Sequence, residues 1–365
     1  MIRKVLLAAA VLPLAACSAT DLATTTQRLR QADQAAKVAT GVAATVSPEE
    51  KQTAPDAVTL ASAAPISAEA IETPLKKIRG KESIVNQKPR IAIAGYNVAA
   101  ITKSRSVATS MGTLTRSGAK TSMTMLLEGV DDALLTEIAD AAYADLVAQF
   151  AAEGIDVAPL SEITAADADK KIFPGEAAFN GDLQRGNGDG KVRVAGVSGA
   201  GVSNYAPVGR ITFGGNGAVK PAGALDAVML FPNLCLGFAQ TSGSGTKMFG
   251  SSARVEGGAM FSVDPASKVE AVYSNGRFLD GWATWGLKET IGVADAFAEV
   301  SKTGSSNNAL AVGLSSALGT GMGANSKSEY TVVADRERYK ALALKAAKGM
   351  NAALVAEVVA ARSGS

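Results

Sequence analysis

Residues 130–160 carry the pattern that most narrows what this chain can fold into. Leu134, Ile138, Ala142, Leu146 and Phe150 recur at helical spacing, with Leu135 and Val147 alongside, so residues 130–153 are an amphipathic helix. Asp131 and Asp132 stand at its start, where the helix dipole favours acids. Gly154 stops it in the usual C-terminal manner, and the run Ile155-Asp156-Val157-Ala158-Pro159-Leu160 reads as a short strand. Upstream, residues 90–98 alternate around Ile91 and Ile93 as a strand. Strand, helix and strand in that order predict a βαβ-like unit, hence a mixed sheet and an α+β fold.

A second amphipathic helix is predicted over residues 336–361. Tyr339, Leu342, Ala346, Met350, Ala353 or Leu354, and Val358 form its stripe, and Asp335 is its N-cap. Residues 121–128 read as a strand, with Met123, Met125 and Leu127 alternating. Residues 225–238 are strongly apolar and read as a buried strand or strand pair interrupted at Pro232. Residues 254–263 and 268–273, joined by Asp264-Pro265-Ala266-Ser267, read as a hairpin. Residues 102–122 and 240–251 read as polar loops, and a short helix is expected around 293–300. Residues 180–223 are glycine-rich and weakly patterned, with short strands at Val192, Val194 and Val197 and at Ile211 and Phe213. Residues 307–328 are small and weakly apolar. The folded domain is expected to span residues 89–365.

The N-terminus is of another kind. Arg3 and Lys4 precede an almost wholly apolar run from Val5 to Leu14. Such a run falls short of the roughly 20 apolar residues of a membrane span. A basic start, a short apolar run and a small-residue end make residues 1–16 a signal peptide. Leu14-Ala15-Ala16-Cys17 resembles the lipobox of bacterial lipoproteins, which implies cleavage before Cys17 and acylation of Cys17. Residues 17–88 then read as a lipid-anchored tether. Residues 21–43 offer only Leu22, Leu29, Val38 and Val42 as a marginal helical stripe. Residues 47–74 are rich in Ala, Ser, Thr, Pro and Glu, and residues 76–90 are polar and basic.

Charge and composition remove whole classes of chemistry. Lys and Arg number 36 against 34 acids; losing Arg3 and Lys4 with the signal leaves 34 against 34, a neutral chain. That gives no electrostatic case for nucleic acid. There is no histidine, which rules out Ser-His-Asp and Cys-His catalysis and the usual histidine-bearing zinc sites. With Cys17 used for lipid, Cys235 has no disulfide partner and is read as a small buried hydrophobe.

Each local motif is weaker than its structural alternative. Asn187-Gly188-Asp189-Gly190 has Arg185 where a calcium loop needs an acid, so a tight turn is expected. Gly243-Ser244-Gly245-Thr246-Lys247 has the wrong order for a phosphate loop, and Gly199-Ala200-Gly201 lacks the third glycine of a dinucleotide fingerprint. Asp131 and Asp132, adjacent on a helix, face different directions. Trp282 and Trp285, with Phe278 near them, fit either a binding or membrane-edge surface or the core; scarcity of aromatics (5%) favours the core. No catalytic residue, cofactor site or metal site is expected.

The order of elements resembles the curli-secretion channel lipoproteins and related surface-structure-assembly lipoproteins. The matching parts are the lipobox Leu14-Ala15-Ala16-Cys17, the strand at 90–98, the helix at 130–153, the strand at 155–160, and the central apolar strand at 227–238. A Gly/Ser-rich stretch and the paired segment 254–273 complete the match. The tether at 18–88 and the glycine-rich 180–223 depart from it. The resemblance implies an envelope lipoprotein, held in the membrane by acylated Cys17, that binds or assembles with an envelope protein partner or with its own copies. Ser18 after the cysteine, rather than an aspartate, implies the outer membrane, with the domain facing the periplasm. A pore-forming subunit of such a secretion channel is the alternative, with hairpins sought in 192–213 and 225–263; a histidine-free hydrolase is the least expected.

Overall fold

A computed structural model describes residues 57–59, 71, 73–87, 89–109, 120–185, 188–205, 207–210, 216–245, 253–293, 296–307 and 325–363. Cys17 and the expected signal peptide lie outside the described residues, as do Ile211, Phe213 and residues 308–324. The fold is α+β, as expected. Its strands are β1 (Ala57–Thr59), β2 (Lys76–Gly80), β3 (Arg90–Ile93), β4 (Asn97–Thr109), β5 (Lys120–Glu128), β6 (Val157–Ala158), β7 (Ala178–Arg185) and β8 (Gly188–Ala195). They continue with β9 (Ala227–Gly245), β10 (Ala253–Val263), β11 (Lys268–Ser274), β12 (Leu279–Gly286), β13 (Ile291–Val293), β14 (Phe297–Asn307) and β15 (Asn325–Ala334). The helices are α1 (Asp132–Ala152), α2 (Leu160–Ala166), α3 (Asn216–Leu225) and α4 (Arg336–Ser363), with a 3-10 turn at Glu82–Asn86.

One mixed sheet runs β1-β14-β15-β5-β4-β9-β11-β12-β2. The pairs β15/β5, β4/β9, β3/β9 and β3/β6 are parallel. The first parallel pair from the sequence unit is therefore real: β3 and β6 lie side by side, and α1 crosses between them. At this end of the sheet the strands are covered on both faces. Ile91, Ile93, Val228 and Leu230 face the main core with α1 and α4, while Ala92, Ala94, Ala227, Met229 and Phe231 face a second core under α2 and α3. Burial on both faces explains why residues 225–238 read as strongly apolar.

α1 and α4 run side by side in the same direction. Asp131 caps α1, its Oδ1 accepting from the Leu134 N–H at 2.8 Å, and the same oxygen meets Arg336 at 2.9 Å. Further along, Lys340 donates to Glu137 at 2.7 Å. Buried Asn351 donates to the Ala142 carbonyl at 2.9 Å and to Asp145 at 2.8 Å, and accepts from the Tyr96 hydroxyl at 3.1 Å. Asp335 caps α4 through the Arg338 N–H.

Several expectations are corrected. The folded part does not begin at Pro89. Ile71, Leu75, Ile84 and Val85 are buried in the main core, and β2 pairs with β12. The last part of the expected tether belongs to the domain because its few apolar residues find a groove across α4. Residues 90–98 form two strands, not one, with Gly95 (φ 83°) between them. Residues 102–109, read as loop, continue β4: their polar side chains are tolerated because both faces there are only half-buried. The strand at 155–160 shrinks to β6 and is followed by α2. The expected helix near 293–300 is instead β13 and the start of β14. Within 180–223, β7 and β8 form a hairpin and α3 is a helix that alanines and glycines hid.

The expected hairpin at 254–273 is also different. β10 and β11 do not pair with each other; both run antiparallel to β9, along the same side of it. Pro232 does not interrupt β9, which is 19 residues long. Near Pro232 the chains on both sides of β9 break together. On one side β3 ends opposite Leu230 and β4 begins opposite Asn233; on the other β11 begins opposite Asn233 and β10 ends opposite Leu236. Buried side chains fill the break. Asn97 donates to Asn233 at 2.9 Å and to the Ser203 carbonyl at 3.0 Å, and its own carbonyl accepts from the Ser203 N–H.

Candidate binding cleft

On the α2/α3 face, residues far apart in sequence enclose an open cleft of about 1130 Å³. Its walls come from the segment after α2, from Asn204, Tyr205 and Arg210, from α3 and from the turn between β11 and β12. Each wall is fixed locally. Asp167 is buried, and its carboxylate accepts the N–H groups of Lys171 at 2.9 Å, Ile172 at 3.0 Å and Phe173 at 2.8 Å. Three backbone donors on one carboxylate satisfy this irregular segment in place of helical hydrogen bonds.

Tyr205 forms the floor. Its ring stacks on Phe231 of β9 with centroids 4.1 Å apart, and its hydroxyl is pushed up to about 12, first by burial and then by the charge of Glu270. It therefore stays a neutral donor at any ordinary pH. Four cations line the same cleft. Lys220 pairs with Asp169 at 3.1 Å, and Arg210 pairs with Glu176 at 2.6 Å while lying 4.0 Å from the Phe179 ring centre. Lys171 and Arg277 also line the cleft, and neither ammonium nor guanidinium has an ion-pair partner among the described residues.

The turn over the cleft is held by its own side chains. Ser274 Oγ accepts from the Gly276 N–H at 3.0 Å and donates to the Phe278 carbonyl at 2.6 Å. Asn275 accepts from the Arg277 N–H, and Asp280 accepts from the Asn275 N–H. Gly276 has φ 90°, and a Cβ on Gly223 of α3 would overlap its backbone, so helix and turn meet at two glycines. This network presents Phe278 outward, 73% exposed.

The sequence-derived candidates are scattered. Asp131 is a cap, and Asp132 pairs with Arg193 at 3.4 Å on the opposite face of the sheet from the cleft. Gly188 and Asp189 begin the return strand of the β7/β8 hairpin, and Gly243 to Gly245 lie in β9. Gly199 and Gly201 are positive-φ turn residues. Cys235 is fully buried, as expected. Trp285 is core, as expected, but Trp282 and Phe278 are exposed. The cleft residues carried no periodic signal; the Asn275-Gly276 turn dipeptide was their one local marker. Compared with known protein families, curated proteins and solved structures, the chain gives no match. No group of acid or cysteine side chains suited to a metal occurs among the described residues.

Proposed function

We propose that this chain is an envelope lipoprotein, carried at the outer membrane on acylated Cys17, that works as a binding or assembly component rather than a catalyst. The observation that carries the binding role is the cleft. It combines a stacked aromatic floor, two cations (Lys171 and Arg277) with no ion-pair partner among the described residues, and a pre-ordered turn, the ingredients of recognition at low ordering cost. The lipobox Leu14-Ala15-Ala16-Cys17 supports the address.

The two halves are tested separately. Growth with a labelled fatty acid should mark the wild-type chain and not Cys17→Ala; an unlabelled wild type ends the anchor. A photo-crosslinker placed at Lys220, on the cleft rim, should give a discrete adduct with an envelope component in cells. The same group at Ala356, on the exposed side of α4, should not. Equal adducts at both positions would sink the cleft as the binding site.

A pore-forming subunit is the second reading, and one observation favours it. The hairpins β4/β5, β9/β10 and β14/β15 all open toward the same end, because β15 is parallel to β5 and β4 to β9. It ranks second because Lys103, Arg105, Lys302 and Lys327 punctuate the outer halves of these strands, where a lipid-facing strand alternates with apolar residues. A ring in detergent would raise it, and a monomer would not.

A further inference from the structure

We infer that the end of the sheet formed by β12 and by β2, its last strand among the described residues, rests on an anionic lipid surface. Among the described residues four large apolar side chains are exposed: Ile78 (52%), Phe278 (73%), Leu279 (38%) and Trp282 (43%). All four lie on β2, on β12 or on the turn that enters β12. Single exposed hydrophobes need no explanation, but a cluster at one edge does. Trp282 and Gly286 share one face of β12 by strand alternation, and the side chain of Ile78 occupies the space where a Gly286 side chain would stand. Ile78 and Trp282 therefore cover the same outer face.

Charge selects the occupant. β2 reads Lys-Lys-Ile-Arg-Gly, every residue of it exposed, and Lys81 follows. Arg277 stands beside Phe278 in the turn. Aromatic and aliphatic tips rimmed by Lys and Arg match the boundary between acyl chains and anionic headgroups.

Vesicle binding tests it without the acyl chain. The chain from position 17, carrying Cys17→Ala, is mixed with vesicles of phosphatidylglycerol and phosphatidylcholine, or of phosphatidylcholine alone. Stronger sedimentation with the anionic vesicles is expected, weakening as salt shortens the screening length. Trp282 emission should shift to the blue while buried Trp285 contributes a constant background. Lys76→Ser with Lys77→Ser and Arg79→Ser should cut partitioning by on the order of tenfold or more. Phe278→Ser, on an exposed turn that leaves β2 intact, should cut it independently. Equal binding to neutral and anionic vesicles would overturn the proposal. So would no binding, or a Trp282 shift produced only by a second copy or another protein. Because the acyl group is absent, failure here leaves the Cys17 labelling result untouched, and the reverse also holds.

Discussion

The hydroxyl of Ser267 is clasped to the backbone of Cys235 in the middle of the sheet, accepting from its N–H at 2.9 Å and lying 3.2 Å from its carbonyl oxygen. Between β10 and β11 the strand running beside β9 has no residue opposite Cys235, and a side chain closes the ladder in its place. The Asp264 N–H gives the Cys235 carbonyl a second partner at 2.8 Å.

Ser267→Ala should therefore remove a buried side-chain clasp on the Cys235 backbone. The expected loss is about 1–3 kcal/mol. Ser267→Thr keeps the hydroxyl and should lose less. Urea unfolding of both variants checks this, and an unchanged midpoint for Ser267→Ala would show that water reaches the break.

Asn351 ties three elements together, α4, α1 and the Gly95 break, through Ala142, Asp145 and Tyr96. Burial, with Asp145 adding to it, pushes the Tyr96 hydroxyl far up, so this phenol is a donor and never an anion. Asn351→Leu fits the apolar stripe of α4 yet strands the Tyr96 hydroxyl and half of the Asp145 contact. It should cost about 1–3 kcal/mol. The double variant with Tyr96→Phe should recover part of that loss, and strict additivity in the cycle would disprove the coupling.

These two sites mark where the sequence was legible and where it was not. α1 and α4 were readable because their apolar residues keep a 3.6-residue period, and Cys235 because it sits in a strongly apolar stretch. Asn351 sat inside the same stripe, but a period counts only apolar positions and passes over a polar residue that the core satisfies. The kink at Asp264–Ser267 carried turn residues, and turn chemistry does not say which distant strand the two arms will join. The cleft was the least legible. Its walls, near 167–171, at Asn204, Tyr205 and Arg210, and at 217–221 and 276–279, are each short and without a periodic pattern, and the packing of α3 on β11 helps bring them together.

Gly349 decides a sign that propensity alone gets wrong. Glycine within a helix normally costs about 0.5–1 kcal/mol relative to alanine. Here a Cβ would overlap the carbonyl of Ile71, where the incoming chain crosses α4. Gly349→Ala should thus destabilise the docked segment while strengthening the helix itself. Faster hydrogen exchange or proteolysis at residues 71–81, with little change in α1, is the expected pattern. A plain rise in melting temperature would mean that the crossing is not held.

Asp131 links the starts of α1 and α4 and gives the stability an acid limb. Its carboxyl is held below the ordinary range, first by the Leu134 N–H and then by Arg336. Glu137 is lowered likewise by Lys340. A carboxyl lowered in the folded state is protonated first in the unfolded state. Its contribution is complete above the ordinary aspartate value of about 3.9 and fades as pH falls through the lower folded value. Melting temperature should therefore drop between neutral pH and strong acid. Asp131→Asn keeps a good cap without the charge, so it should flatten that drop with little change at the acid end. Asp131→Ala loses the cap as well and should cost about 0.5–2 kcal/mol at neutral pH. Identical acid limbs in wild type and Asp131→Asn would assign the pH dependence to other carboxylates.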